Sequence, residues 1–128
     1  MGEMGNKEST PVEKAPFESV LALGRTGVLI SVFDEDDQNL LIVGTVSCAK
    51  EVEAVERAIA AKTSILVYGR NWHDERVYAK YAQIKKLGGL VKVYLGGLFE
   101  WILLNEIYGN DRFPLTAKVV DLYQYRPK

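Results

Sequence analysis

The sequence predicts an α/β domain built on a mainly parallel sheet with helices on both faces. Three short runs, at residues 28–33, 64–68 and 91–95, are almost entirely apolar. Such runs are typical of strands that are buried on both faces, as in parallel sheets. Segments with apolar residues at helical spacing lie between these runs. In a chain of 128 residues, this alternation indicates one three-layer domain of ordinary size.

The first sixteen residues differ from the rest of the chain. They contain two of the four prolines and show no apolar periodicity. Segments that cannot bury apolar surface remain unfolded. We therefore predict a disordered tail over residues 1–16 and a folded domain over residues 17–128.

The first half of the domain reads as five successive elements. They are a short amphipathic segment (17–23), a turn (24–27), a buried strand (28–33), a second apolar run (40–43) and a helix (50–62). The helix carries Val52, Val55 and Ile59 at helical spacing, with charged residues elsewhere. We expect this apolar stripe to face the sheet.

The second half continues the alternation. The predicted order is strand, helix, strand, helix, at residues 64–68, 75–87, 91–95 and 98–107. The first of these helices has an apolar stripe and ends at a pair of glycines, Gly88 and Gly89, which form a typical C-cap. The second is apolar on nearly all sides, at Leu98, Trp101, Ile102 and Leu103, so we expect it to be well buried.

Composition argues against several classes of function. With 16 basic and 17 acidic residues the formal net charge is −1, which provides no basic surface for a nucleic acid. The single cysteine, Cys48, and the single histidine, His73, cannot form an internal disulfide or a Cys/His metal cluster. No bound metal or cofactor is expected. Because no run of about twenty apolar residues and no secretory signal occur, we expect a cytoplasmic monomer.

The sharpest strand-to-helix transition follows the second buried strand. A loop of this kind presents free backbone N–H groups and the positive end of a helix dipole, which can hold an anion or stabilise a thiolate. The candidate site residues are Gly69, Arg70, Asn71, Trp72, His73, Asp74, Glu75 and Arg76. Asp74 or Glu75 can cap the helix itself and occupy the place of an anionic ligand. We expect both arginines at the solvated surface and Trp72 at a partner contact.

A family resemblance becomes specific at this loop. The strand Ile-Leu-Val-Tyr at residues 65–68, the loop, the helix and then Gly96-Gly97 with Trp101 four residues further resemble the second half of a rhodanese domain. Pro114 resembles the proline that often follows. In the first half, residues 29–33 and 44–46 resemble a Leu-Ile-Asp-Val-Arg strand and a Gly-His-Ile segment. The resemblance covers roughly residues 17–114 and implies a rhodanese-like three-layer fold.

The sequence departs from this family at the residue that carries its chemistry. Active relatives have a cysteine after Val-Tyr, whose thiolate takes up sulfane sulfur and passes it on, whereas this chain has Gly69. Ser31 and Phe33 replace the aspartate and arginine of the first central strand. The resemblance therefore implies a non-catalytic module for protein binding or regulation. The sequence does not identify the partner of this module. We expect Trp72 and the loop to form the recognition surface.

Two alternatives remain open at this stage. One is a sulfurtransferase acting on thiosulfate or persulfide that uses Cys48 as a relocated thiol. A cysteine near a helix N-terminus can be reactive, but a lone cysteine is more often a small, partly buried filler. This alternative requires Cys48 to lie beside the loop. The other alternative is small-anion sensing by the loop without chemistry.

The predicted tail contains one candidate modification site. If translation starts at Met4, Gly5 becomes the first residue after the methionine, and Ser9 completes an N-myristoylation pattern. From Met1 the pattern fails, because Asn6 stands at the Ser/Thr position. One acyl chain supports only reversible membrane binding. Membrane contact is therefore expected only if Gly5 is acylated.

Overall fold

A computed structural model describes residues 11–127 of the chain. Its sheet consists of four parallel strands: β1 (Lys14–Ala15), β2 (Val28–Ser31), β3 (Ser64–Tyr68) and β4 (Leu90–Tyr94). Its helices are α1 (Phe17–Leu21), α2 (Glu51–Ala61), α3 (Arg76–Lys86) and α4 (Gly97–Tyr108). Three short 3₁₀ turns lie at Glu35–Asp37, Cys48–Lys50 and Leu122–Tyr125. The predicted α/β class with a parallel sheet is confirmed.

The strands are arranged in the order β1-β4-β3-β2, with β3 and β4 at the centre. Ser31 at the end of β2 pairs with Tyr68 at the end of β3, and Tyr68 pairs with Tyr94 at the end of β4. An isolated parallel bridge also joins Thr45 to Leu29, so the segment after residue 43 runs along the outside of β2. The three long strands therefore end at one edge of the sheet, which carries the loop after β3.

Both faces of the sheet are buried, which explains the nearly continuous apolar runs of the strands. Ile65 and Val67 of β3 point into a core that they share with α2 and α3. Leu66 and Tyr68, which alternate with them, point into a second core formed with α4 and the C-terminal segment. Helices therefore cover the sheet on both sides in three layers.

The buried face of α2 agrees with the predicted one at Val55 and differs from it at Val52. The residues of this helix that are buried are Ala54, Val55 and Ala58, whereas Val52 is 71% exposed. The prediction that Val52 faces the sheet is therefore wrong. Small alanines allow the helix backbone to approach the sheet closely, and this turns Val52 toward solvent. The predicted stripe of α3, Val77, Tyr81 and Ile84, is confirmed.

The expectation that α4 is well buried is confirmed at Leu98, Trp101 and Ile102 but wrong at Leu103. Leu98, Trp101 and Ile102 are buried, but Leu103 is 37% and Ile107 70% exposed. The helix lies in an outer layer, so only the side that faces the sheet and the C-terminal segment is covered. Within residues 11–127, no helix is both long and apolar enough to cross a bilayer.

The predicted disordered tail does not extend to residue 16. Lys14 and Ala15 form β1, which pairs with Val93 and Tyr94 at the edge of the sheet. Ala15 is buried, whereas Lys14 is exposed. Two residues are too few to produce a periodic pattern, which is why the sequence does not reveal this strand. Residues 1–10, including the candidate lipidation site Gly5, lie outside the described residues.

We predict that the two valines of α2 respond differently to the same substitution. Val55→Ala removes two buried methyl groups and should lower the free energy of unfolding by about 2 kcal/mol. Val52→Ala should change it by less than about 0.5 kcal/mol, because this side chain is exposed. Urea denaturation of both variants measures the difference. Equal losses would show that the helix presents another face to the sheet.

Candidate functional site

The loop after β3 lies against the first turn of α4. The carbonyl oxygen of Gly69 accepts a hydrogen bond from the N–H of Leu98 (2.9 Å), and that of Arg70 accepts one from Phe99 (2.9 Å). Gly97 permits this approach: its φ is +69°, and a Cβ there would lie 2.7 Å from the Gly69 oxygen. The second glycine of the Gly-Gly pair is therefore required by packing of the loop against the helix.

The carboxylate of Asp74 lies inside this loop. One of its oxygens, Oδ2, accepts the backbone N–H of Arg70 at 2.9 Å, and Oδ1 accepts the backbone N–H of Arg76 at 3.2 Å. The Asp74 side chain is only 7% exposed. Of the two predicted capping residues, Glu75 makes no side-chain hydrogen bond to the helix start. As expected for one of the two carboxylates, Asp74 satisfies these loop N–H groups.

Arg76 closes the outer side of this carboxylate. Its Nε donates to Oδ1 of Asp74 at 2.9 Å and its Nη2 to Oδ2 at 2.7 Å, a bidentate arrangement. Burial alone would raise the pKa of Asp74, but the hydrogen bonds from the Arg76 guanidinium and from the Arg70 N–H outweigh it and lower the pKa. Asp74 is therefore held in its charged form.

Asp74 also explains the glycine at position 69. A Cβ on Gly69 would lie 2.6 Å from Oδ2 and 2.8 Å from Cβ of Asp74, closer than real contacts allow. The space that a side chain at position 69 would need is thus filled by Asp74. The sequence predicts a capping carboxylate at Asp74 or Glu75, but it does not reveal that this carboxylate lies against Gly69.

The C-terminal segment fastens the loop from a third side. The buried amide of Asn71 donates to the carbonyl of Tyr125 at 2.7 Å. Arg70 donates to the carbonyl of Gln124 at 3.2 Å and to Asp37 at 3.0 Å, and its guanidinium lies 5.5 Å from the centre of the Tyr125 ring. Arg76 is exposed, as expected, and Arg70 is partly exposed, but both are also paired with aspartates.

Tyr68, which precedes the loop, anchors the edge of the sheet. Its hydroxyl accepts a hydrogen bond from the N–H of Ile42 (3.2 Å) and lies 2.7 Å from the Thr45 hydroxyl. Burial raises the pKa of Tyr68 to about 12, so it stays protonated at neutral pH. The sequence does not indicate this role, because a buried strand tyrosine shows no pattern that distinguishes it from an ordinary core residue.

Trp72 projects from the loop. It is 45% exposed, and its ring contacts the ring of Phe99 at a centroid distance of 6.0 Å and that of His73 at 6.1 Å. The backbone N–H of His73 donates to the side-chain oxygen of Asn71 at 2.8 Å. The indole is thus supported from below by Phe99 and presents its outer side to solvent.

Cys48 lies in a different cleft. It begins the 3₁₀ turn after residue 47 and is half-buried, with its Sγ 3.9 Å from the carbonyl of Phe33. Its cleft, of about 360 Å³, is lined by Ser31, Glu51 and Lys80 among others. The cleft at the loop, of about 310 Å³, includes Arg70, Asp74 and Arg76 and shares no lining residue with it. The two candidate sites therefore do not form one pocket.

The two residues that depart from the family pattern in β2 have structural roles. Ser31 is buried and accepts a hydrogen bond from Gln38 at 3.2 Å. Phe33 is buried beside Tyr68, and the Arg76 guanidinium lies 5.7 Å from the centre of its ring. Neither provides a charged group to the loop.

No protein-family model matches the chain, and no curated protein matches it either. The resemblance to rhodanese domains therefore rests on the residues quoted above, and the loop geometry is the basis for inferring a function.

We predict that Asp74 stabilises the fold in a pH-dependent way. Because its pKa is lowered on folding, its contribution is present above its ordinary pKa of 3.8 and is lost as pH falls through the lower folded value. At neutral pH, Asp74→Asn should reduce the free energy of unfolding by about 2 kcal/mol, since it removes charged hydrogen bonds from a buried site. Denaturation curves at several pH values measure this.

The difference in the free energy of unfolding between wild type and Asp74→Asn should shrink as the pH falls below 3.8. Asp111→Asn, which removes an exposed carboxylate, provides the control and should leave the stability almost unchanged. A wild-type advantage that stays constant down to strongly acidic pH would contradict the assigned role of the Asp74 charge.

Proposed function

We propose that this chain is a non-catalytic rhodanese-like module that binds a protein partner through the loop from Gly69 to Arg76. The single observation that supports this most strongly is the position of the Asp74 carboxylate. It accepts two loop N–H groups and fills the space beside Gly69. A substrate anion would have to displace a buried, paired carboxylate from the same donors.

Two features of the loop argue against catalysis. A nucleophile is missing at position 69, and the donors that would stabilise an anion at the loop are already used. A substrate anion that drew the Arg76 guanidinium away from Asp74 would leave the buried carboxylate charge unpaired, which is strongly unfavourable. The loop is therefore better suited to recognition of a partner than to turnover.

The exposed part of the loop has the composition of a binding surface. Trp72 presents about half of its surface to solvent while Phe99 holds its ring from below. Arg70, Arg76 and Arg126 line the adjacent cleft. Tryptophan and arginine are enriched among the residues that dominate the binding energy of protein interfaces. This combination supports Trp72 as the centre of the contact.

A sulfurtransferase that uses Cys48 is the second candidate, since the thiol is half-buried and lines an open cleft. It has less support. Asp34, Glu35 and Glu51 line the same cleft, and the one lysine there, Lys80, is already paired with Glu51. These carboxylates would repel the thiosulfate dianion.

Intact-mass measurement after incubation with thiosulfate, together with a cyanide-acceptor assay, separates the two candidates. We expect no sulfur adduct and no thiocyanate from the wild type or from Cys48→Ser. An adduct on the wild type that disappears in Cys48→Ser would contradict the proposal and assign sulfur transfer to Cys48.

The same assay on two further variants tests the role of Asp74. Gly69→Cys alone should take up no sulfur, because its side chain would collide with the Asp74 carboxylate. Gly69→Cys combined with Asp74→Gly removes the collision and releases the loop N–H groups. The thiolate of this double variant should attack the outer sulfur of thiosulfate, break its S–S bond and form a persulfide with release of sulfite. Circular dichroism confirms that each variant is folded. Sulfur uptake by Gly69→Cys alone would show that Asp74 does not close the loop.

The binding part of the proposal predicts that Trp72 is required for partner capture. The immobilised wild-type chain should retain a protein that Trp72→Ala loses, with a reduction of about tenfold or more in affinity. Tyr108→Ala is the matched control, because Tyr108 is a 56% exposed aromatic residue at the end of α4 far from the loop and should not matter. Identical retention by all three chains would place the interface elsewhere.

A further inference from the structure

Another cleft lies at the opposite end of the strands from the loop. It has a volume of about 440 Å³ and is formed where the turn before β2, the segment after residue 43 and α2 meet. Val28, the first residue of β2, lines it. Since the loop follows the carboxyl end of β3, which runs parallel to β2, the two sites are separated by the length of the strands.

The charge of this cleft is entirely positive. Arg25 and Arg57 line it, and none of its lining residues is acidic. Among residues 11–127 neither arginine has an ion pair or a hydrogen bond from its side chain, whereas Arg70 and Arg76 are both paired with aspartates. In a chain whose charges nearly balance, two uncompensated guanidiniums at one cleft are a local excess.

A second, independent observation concerns Thr63, which also lines the cleft. Its hydroxyl is the one buried side-chain polar atom in residues 11–127 that has no hydrogen-bond partner. A buried hydroxyl without a partner is unfavourable, and native structures rarely contain one without a reason. Because this oxygen is covered by the chain, a ligand in the cleft would provide the missing acceptor only after the hydroxyl turns toward it.

The floor of the cleft is apolar and built from small side chains. Val28, Ala54 and Ala58 are buried there, and Val46 and Ala61 complete the lining. An apolar floor under a few converging polar groups is the usual composition of a small-molecule site, and the volume falls in the usual range. The ligand should therefore combine an anionic group with a compact apolar part.

From these observations we propose that the cleft binds a small organic phosphate monoester. Its phosphate would be held by Arg25 and Arg57 and its apolar part would lie on the alanine floor. Guanidinium groups match phosphate oxygens with paired N–H donors, and two of them balance a dianion. The C-terminal end of α2 adds only about half a negative charge, which the two arginines exceed. This site uses no residue of the loop and is independent of the proposed partner binding.

The test is an NMR titration of the full chain with phenyl phosphate. The amide signals of Gly27, Gly44 and Thr63, which line the cleft, should shift saturably, while those of Arg70 and Arg76 stay in place. The double variant Arg25→Gln/Arg57→Gln should bind at least about tenfold more weakly. The matched control is Arg112→Gln/Lys118→Gln, which removes two exposed charges outside the cleft and should bind as the wild type does.

Two further probes define the ligand class. Inorganic phosphate should bind more weakly than phenyl phosphate, because it lacks the apolar part, and benzoate should bind more weakly because it carries one charge. Equal binding of inorganic phosphate would overturn the role of the apolar floor, and tighter binding of benzoate would overturn the assignment to phosphate esters. No saturable shift at the three amides, or unchanged affinity in the arginine double variant, would overturn the site itself.

Discussion

The pairing of the Asp74 carboxylate with the backbone N–H groups of Arg70 and Arg76 determines the rest of the loop. It starts α3, it sets the path of the chain after β3, and it leaves no room for a side chain at position 69. The Arg76 guanidinium completes the arrangement and keeps the carboxylate charged. A loop that could bind an anion from solution is thereby satisfied from within the chain.

The surroundings of the loop hold it in this state. Gly97 allows α4 to approach Gly69 closely, and the C-terminal segment is bonded to the buried amide of Asn71 through the carbonyl of Tyr125. A loop fixed on three sides loses little conformational entropy when it meets a partner, and this preorganisation favours binding. Trp72 is the aromatic side chain that such an arrangement leaves presented to solvent.

The α/β class and the parallel sheet could be predicted from the sequence, because strands buried on both faces produce continuous apolar runs and helices produce periodic ones. The edge strand at Lys14 could not, since two residues show no periodic pattern. The exposure of Val52 could not be predicted either, because small alanines rather than Val52 meet the sheet. At the loop, capping by Asp74 or Glu75 could be expected from the sequence. That Asp74 is the residue that caps, and that its carboxylate fills the space beside Gly69, is visible only in three dimensions, as is the contact with Tyr125, 54 residues from Asn71.

The most direct test of this account is an NMR titration of the wild-type chain with thiosulfate, observed at the backbone amides of Arg70 and Arg76. Both N–H groups donate hydrogen bonds to Asp74. We therefore predict that neither signal shifts, even at thiosulfate concentrations in the millimolar range. Saturable shifts of the two signals would show that an outside anion displaces the Asp74 carboxylate. The loop would then be an open anion site, and the inference of a closed, non-catalytic module would be wrong.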